Sequence, residues 1–211
     1  MLLYYITDRV QFSGSELRRR ELLVETSIEA ARNGVDYIQV REKDLSSREL
    51  EKLALDIVGK VRETGNATRV LINSRVDVAF ATGADGVHLR SNDISPADVR
   101  RIWKTAGLTS AQVIAVSCHT EQEVVAAKFA GADFVVFGPV FGKATTPGID
   151  LDSLRAACGH EIPVLALGGV NAENAQSCLD AGAAGIAGIR LFQTGDARTT
   201  VAMFRARPFD R

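Results

Sequence analysis

The sequence predicts an α/β fold, a single (β/α)8 TIM barrel running through residues 1–211 as one domain, and three observations predict it. Eight short apolar runs alternate with segments of helical periodicity, the pattern of a parallel sheet whose crossovers are helices. A helix end, a glycine and a strand start recur at Asn33-Gly34-Val35-Asp36, Thr82-Gly83-Ala84-Asp85, Ala130-Gly131-Ala132-Asp133 and Ala181-Gly182-Ala183-Ala184. Those glycines lie 49, 48 and 51 residues apart, two βα units each time, as the quarters of a barrel would repeat. Finally, the apolar runs break into polar residues at their C-terminal ends, the rim where such barrels carry chemistry. The same punctuation would suit an open, doubly wound sheet, but eight is the number of strands that closes.

The elements follow in order. Leu2 to Ile6 is a buried strand ending in Thr7-Asp8-Arg9, and Leu17 to Arg32 is a helix with Leu22, Leu23, Ile28 and Ala31 roughly on one face. Gly34 ends it as a left-handed cap. A second strand spans 37–41. Ser46 then caps a helix to about Thr64, and Glu49 completes a capping box. Arg69 to Ile72 is strand three, ending at Asn73, followed by a short helix over 76–82 and strand four over 86–89. Ser95-Pro96 opens a helix with Pro96 at its first position. Strand five is 113–116, and Thr120 with Glu123 makes a second capping box before a helix to Ala130. Strand six (134–137) runs into a long loop, 138–148. A helix over 151–158, strand seven (164–167), a helix over 172–181, strand eight (186–189) and a helix over 197–206 complete the chain.

Bulk properties narrow the function classes. The 211 residues are 46% hydrophobic and 24% charged with net charge −1, ordinary for one globular domain. No basic excess marks a nucleic-acid footprint or a membrane patch. No apolar run approaches the ~18 residues of a membrane span, and the N-terminus reads as having no signal peptide. Cys118, Cys158 and Cys178 lack metal spacing, and their odd number argues against a disulfide framework, so a reducing cytoplasm is the expected setting. Cys158 and Cys178 read as core fillers.

The chemistry collects on strand ends. Strand two supplies Gln39, Arg41 and Lys43, with Glu42 and Asp44 as solvated charges, as their partners, or as holders of a bridging cation. Strand three supplies Asn73 and Ser74, strand four His88 and Asp93, and strand five Ser117 and His119. Strand six opens into Lys143-Ala144-Thr145-Thr146, strand seven gives Gly168-Gly169, and strand eight leads to Arg190. Arg, Lys, Asn, Ser and Thr are the donors a diphosphate needs, and Asp93 is a hard oxygen ligand suited to Mg²⁺. A glycine pair after strand seven is where a barrel binds phosphate through backbone N–H groups. His88, inside a strand, reads as structural; His160 reads as surface.

Several segments together resemble the family of thiamine-phosphate synthase and its sister, thiazole tautomerase. They are Tyr5-Ile6-Thr7-Asp8-Arg9, Ile38-Gln39-Val40-Arg41-Glu42-Lys43-Asp44, Leu71-Ile72-Asn73-Ser74-Arg75, Gly83-Ala84-Asp85-Gly86-Val87-His88-Leu89, Val116-Ser117-Cys118-His119, Phe137-Gly138-Pro139-Val140-Phe141 and Ala166-Leu167-Gly168-Gly169-Val170. The resemblance runs in order over nearly the whole chain. It implies thiamine biosynthesis, in which hydroxymethylpyrimidine diphosphate and thiazole phosphate give thiamine phosphate and diphosphate through a dissociative step. It also implies that Gln39, Arg41, Lys43, Asn73 and Ser117 meet the pyrimidine diphosphate, with Thr145 on the strand-six loop, Asp93 as a Mg²⁺ ligand, and Gly169 at the thiazole phosphate. Arg41, Lys43, Ser117 and His119 are then the catalytic candidates.

The chain departs from the synthase pattern at four places. Ser74 stands where a second carboxylate is usual, Arg90-Ser91 replaces glycine and glutamine, the lysine of the strand-six loop sits at Lys143, and Gly188-Ile189-Arg190 replaces a small, serine-containing turn. These departures keep two other readings open: a tautomerase, with His119 as acid/base, or a non-catalytic barrel that binds thiazole phosphate. Small molecules are the expected partners, without nucleic acid or membrane, and a homo-oligomer is left open.

Overall fold

The structure, a computed structural model, describes residues 1–108, 112–142, 148–194 and 197–206. Its strands are β1 (Leu2–Ile6), β2 (Tyr37–Val40), β3 (Arg69–Asn73), β4 (Gly86–Leu89), β5 (Val113–Cys118), β6 (Phe134–Phe137), β7 (Val164–Leu167) and β8 (Gly185–Gly188). Each pairs in parallel with the next, and β8 closes on β1 through Leu2 opposite Gly185 and Tyr4 opposite Ala187. The fold is the expected (β/α)8 barrel. Its helices are α1 (Glu16–Arg32), α2 (Ser47–Glu63), α3 (Val76–Thr82), α4 (Pro96–Thr105), α5 (Glu121–Phe129), α6 (Leu151–Cys158), α7 (Ala175–Asp180), α8 (Arg190–Gln193) and α9 (Ala197–Arg205).

Side chains alternate along each strand, so one set fills the barrel and the other packs under the helices. Tyr4, Leu71, Phe134, Val136 and Leu165 are among the inner set, and Tyr4 meets Phe134 edge to face at 5.7 Å. Leu3, Tyr5, Ile38, Val40 and Ile72 belong to the larger outer core. The same alternation decides the site, because at the C-terminal ends the inward positions are polar: Gln39, Asn73, His88 and Ser117.

Local signals in the sequence do what their chemistry requires. Both capping boxes form, Ser46 with Glu49 and Thr120 with Glu123, each cap contributing about 1 kcal/mol. Ser95 caps α4 with Pro96 in its first turn. At the opposite end of the barrel, the repeated glycines all take left-handed φ, between 62° and 101°. In each repeat the following residue donates its N–H to the carbonyl five residues back, as Val35 to Ala30, Ala84 to Ala79, Ala132 to Ala127 and Ala183 to Cys178. That is the Schellman closure.

The aspartates that follow act as latches. Asp36, Asp85 and Asp133 accept the backbone N–H of Leu3, Val70 and Ile114 at 2.6–2.8 Å. Each returns its own N–H to the carbonyl of that same strand residue. An arginine then covers each latch: Arg205 on Asp36, Arg62 on Asp85 and Arg100 on Asp133. In the fourth repeat Ala184 supplies only the backbone half of the latch, to Val164.

Among the described residues no helix is long and apolar enough to cross a membrane, and all three cysteines are free thiols.

Candidate active site

Two adjoining cavities on the rim of the barrel share Leu167 and Ile189. The larger, about 860 Å³, takes Gln39, Arg41, Lys43, Asn73, Ser117 and His119 into its wall, together with Arg75 and Arg90. The smaller, about 550 Å³, is walled by Gly168, Gly169, Gly188 and Arg190, with Gln11 and Thr194 closing its side. The expected residues are thus brought to one rim. Three qualifications follow: Gly169 lies in the second cavity, Asp93 sits just behind the first, and Thr145, with Lys143, lies outside the described residues.

The strand-two segment is held by a buried ion cluster. Arg9, on a 3-10 turn over Arg9–Gln11, is 3% exposed and Glu42 is 5% exposed. Arg9 Nη1 reaches Glu42 at 3.1 Å, its Nε meets Glu16 at 2.8 Å, and Nη1 and Nη2 fork onto Asp44 at 2.7 and 2.8 Å. The Thr7 hydroxyl donates to Glu42 at 2.6 Å and accepts the backbone N–H of Arg41 at 2.9 Å. The Asp44 contact, ahead of the others, raises the already high pKa of Arg9 further. Burial holds the Glu42 carboxyl above its ordinary value, with Thr7 and Arg9 working against it.

This corrects the expectation for Glu42 and Asp44. Glu42 is buried rather than solvated, Asp44 is a loop charge more than half exposed, and neither pairs with Arg41 or Lys43. Both carboxylates belong to Arg9, so Arg41 and Lys43 face the cavity with no carboxylate paired to either among the described residues.

A second buried chain sets the donor state of Ser117. The Gln39 amide donates to the Tyr4 hydroxyl oxygen at 3.0 Å, so the Tyr4 proton goes to His88 Nδ1 at 2.8 Å. His88 Nε2 therefore carries the ring proton and donates to Ser117 Oγ at 2.7 Å. The Ser117 hydroxyl proton is left for a ligand. Burial, then the charge of Arg41, pushes His88 down to about 3, so the imidazole is neutral across the physiological range. The reading of His88 as structural stands, with the addition that it sets the hydroxyl next to it.

His119, at the end of β5, hydrogen-bonds the Gly138 carbonyl through Nδ1 and takes Glu123 on its backbone N–H at 2.6 Å. A carbonyl only accepts, so Nδ1 is the donor in that bond, and Nε2 carries the lone pair in the neutral form of the ring.

Asp93 is saturated. Its Oδ2 accepts the Ser74 hydroxyl at 2.6 Å and the Arg90 backbone N–H at 2.8 Å. Its Oδ1 accepts Arg90 Nε at 3.0 Å and Nη2 at 2.7 Å. Burial works to raise the carboxyl, but the Arg90 and Ser74 hydrogen bonds outweigh it and hold Asp93 below the ordinary range. Four contacts fill the acceptor capacity of a carboxylate. Ser74 is a neutral hydroxyl on a left-handed backbone, φ 58°, and among the described residues no three acidic, histidine or cysteine side chains come close enough to share a metal. The residues present do not fit a Mg²⁺ ion as they stand: one carboxylate is available, and it is already bound to an arginine.

In the second cavity Gly168 and Gly169 take φ of 96° and 66°. A Cβ on Gly169 would lie 2.7 Å from Phe141 Cβ and 2.8 Å from its carbonyl oxygen. Only glycine fits there, and a wall without side chains lets an anion approach the backbone. Sequence reasoning missed Tyr4, Arg9 and Gln11. Arg9 stood in a noticed segment, but the identity of its partners is information carried by the fold.

The chain is similar to known proteins over most of its length. A model of the family described as thiamine monophosphate synthase matches residues 3–192. The chain is 41% identical over 190 residues to a putative thiamine-phosphate synthase of Geobacter sulfurreducens, covering 88% of this chain and 83% of that one. It is 36% identical over 205 residues to a thiamine-phosphate synthase of Chloroflexus aurantiacus, covering 95% and 88%. Among solved structures, thiamine phosphate pyrophosphorylase from Pyrococcus furiosus superposes with a TM-score of 0.80 at 31% identity, over 97% of this chain and 93% of that one. With a matching family model over most of its length and relatives above one-third identity, the chain belongs to the thiamine monophosphate synthase family.

Proposed function

We propose that the protein is a transferase that joins hydroxymethylpyrimidine diphosphate to thiazole phosphate, giving thiamine phosphate and diphosphate. The observation that carries this reading is the pair of adjoining anion sites: a cationic cavity on β2 to β5 and a glycine-walled one on β7 and β8, sharing Leu167 and Ile189. Two phosphorylated substrates need two such sites, with their reacting ends at the shared wall.

The bond between the pyrimidine methylene and the diphosphate oxygen breaks, and its electron pair leaves with the diphosphate. The thiazole nitrogen then supplies the pair that forms the new C–N bond. Arg41, Lys43, Asn73 and the Ser117 hydroxyl stabilise charge as it gathers on the leaving group, which is the largest contribution a preorganised site makes. Gln39 lies beside them on the pyrimidine side. Gly169 holds the thiazole phosphate and so places the nitrogen in line. Thr145 is assigned to substrate binding by resemblance.

Synthases of this family generally work with Mg²⁺. Asp93, the ligand that the resemblance implies for such an ion, is held here by Arg90 and Ser74 instead. The barrel acts as one domain over 1–211, and its free thiols favour a reducing cytoplasm.

One observation favours a second reading. His119, with Nδ1 engaged by Gly138, presents Nε2 as a base at the rim, as a tautomerase would require. Purified protein supplied with both synthase substrates should form thiamine phosphate and diphosphate in equal amounts, by chromatography. Isomerisation of a thiazole carboxylate phosphate, with no thiamine phosphate formed, would replace the synthase by the tautomerase.

A further inference from the structure

We propose that Arg90, docked on Asp93, takes the place of a divalent ion, so that this protein binds the diphosphate of its substrate through its own guanidinium and ammonium groups. The proposal rests on the synthase reading for the identity of the ligand, and on the donor set for everything else.

An ion at this rim would need oxygen ligands with free lone pairs. Asp93 has none, since three of its four hydrogen bonds come from Arg90 and the fourth from Ser74. Glu42, the one carboxylate in the cavity wall among the described residues, is committed to Arg9 and Thr7. Ser74, donating its hydroxyl to Asp93, is neutral and brings no charge to an ion. To reach Asp93 an ion would have to break the Arg90 fork and leave a guanidinium beside itself.

The geometry of Arg90 suits direct binding of an anion. Its Nε and Nη2 are fixed on Asp93 Oδ1, so the plane of the guanidinium is set. Nη1 has no acceptor among the described residues, and the side chain is 64% exposed on the cavity wall. An arginine held on one edge and open on the other loses little rotamer freedom when a phosphate arrives. The Arg90–Asp93 pair is neutral as a unit, so it brings no repulsion to the unpaired charges of Arg41 and Lys43 and adds directed N–H donors beside them. A hydrated ion bound by one or two carboxylates usually bridges a phosphate to protein; here the bridge is covalently part of the chain.

The test uses inorganic pyrophosphate as probe, with calorimetry in EDTA and then in excess Mg²⁺, on the wild type and on Arg90→Gln. The wild type should bind pyrophosphate in EDTA, and Mg²⁺ should change the affinity by no more than about twofold. Arg90→Gln should bind about ten- to a hundredfold more weakly in EDTA, the range of one charged hydrogen-bond contact. With Asp93 uncovered, it should also regain affinity when Mg²⁺ is added. Mn²⁺ added to protein without pyrophosphate should keep its free-ion paramagnetic resonance signal with the wild type and lose part of it with Arg90→Gln. Wild type that binds pyrophosphate only with Mg²⁺, that captures Mn²⁺ by itself, or that matches Arg90→Gln in EDTA overturns the proposal. None of these readouts needs turnover, so a protein that binds pyrophosphate as expected yet forms no thiamine phosphate would remove the synthase reading and leave Arg90 as an anion ligand.

Discussion

Replacing Arg9 by methionine should cost about 3–5 kcal/mol, because it strands one buried charge. Three carboxylates share Arg9, but they are not equal. The side chains of Asp44 and Glu16 are 59% and 46% exposed, so water takes over when the guanidinium goes, and each loss is worth up to about 1 kcal/mol. Glu42 is different: its side chain is 1% exposed, and after the substitution it keeps only the Thr7 hydroxyl and the backbone N–H of residue 9. An uncompensated buried charge of this kind costs about 3–5 kcal/mol. With a urea m-value of about 2–3 kcal/mol/M for a chain of this size, the midpoint should fall by about 1–2.5 M.

The double variant Arg9→Met with Glu42→Met separates the stranded charge from lost packing. It should recover most of the stability, because a well-packed apolar pair replaces a buried ion pair at little or no cost. Its affinity for pyrophosphate should stay low, since Arg41 and Lys43 have lost the frame beneath them. Urea titrations followed by circular dichroism measure all of this. Arg9→Met losing under about 1 kcal/mol, or a double variant that sums the two single losses, would refute the reasoning.

Three further outcomes are expected. His88, pushed down to about 3 by burial, stays neutral in the folded protein while the unfolded chain takes up a proton below its ordinary pKa near 6.5. Stability should therefore fall as pH falls through that window, by about 1.5 kcal/mol between pH 6.5 and 5; His88→Gln should remove that slope in urea midpoints taken across the range, and parallel slopes would count against it. Gly169→Asp places a side chain against Phe141 and a negative charge where phosphate is assigned, so calorimetry should find thiazole phosphate binding lost, and unchanged affinity would move the phosphate elsewhere. Ser117→Ala removes one preorganised donor and should lower kcat about a hundred- to a thousandfold with a near-native urea midpoint; a loss below about threefold would take Ser117 out of the chemistry.

Much of the fold is legible in local chemistry. Ser46 with Glu49, Thr120 with Glu123, Ser95 before Pro96 and the four glycines place helix ends to within a residue or two. Boundaries slip where a polar or small residue disguises a strand. β5 runs on through Ser117 and Cys118, past the expected end at Val116, because Ser117 faces the barrel and finds His88 there. β8 is Gly185–Gly188 rather than 186–189, since Gly185 pairs with both Leu2 and Leu165, whereas Ile189 already has helical backbone angles. α7 begins at Ala175, not Ala172, because Asn171 turns its side chain onto the N–H groups of Glu173 and Asn174. For the site, alternation along strand two foretold which residues look inward. It could not say that Glu42 answers to Arg9, 33 residues earlier, or that Arg90 closes onto Asp93. Charges four in a row look alike until the fold chooses their neighbours.

The aspartate latches at the far end of the barrel bear on how freely the rim can change. A strand slips only if its pairing moves by a residue, and Asp36, Asp85 and Asp133 grip both the donor and the acceptor of a fixed residue on the neighbouring strand. Register is thus anchored at the end opposite the rim cavities. Rewriting Ser74, Arg90 or Arg190 does not touch those anchors, and changes at separated sites contribute nearly independently to stability. A barrel built this way can exchange one means of neutralising a diphosphate for another while its strands stay in step: the frame and the chemistry are edited separately.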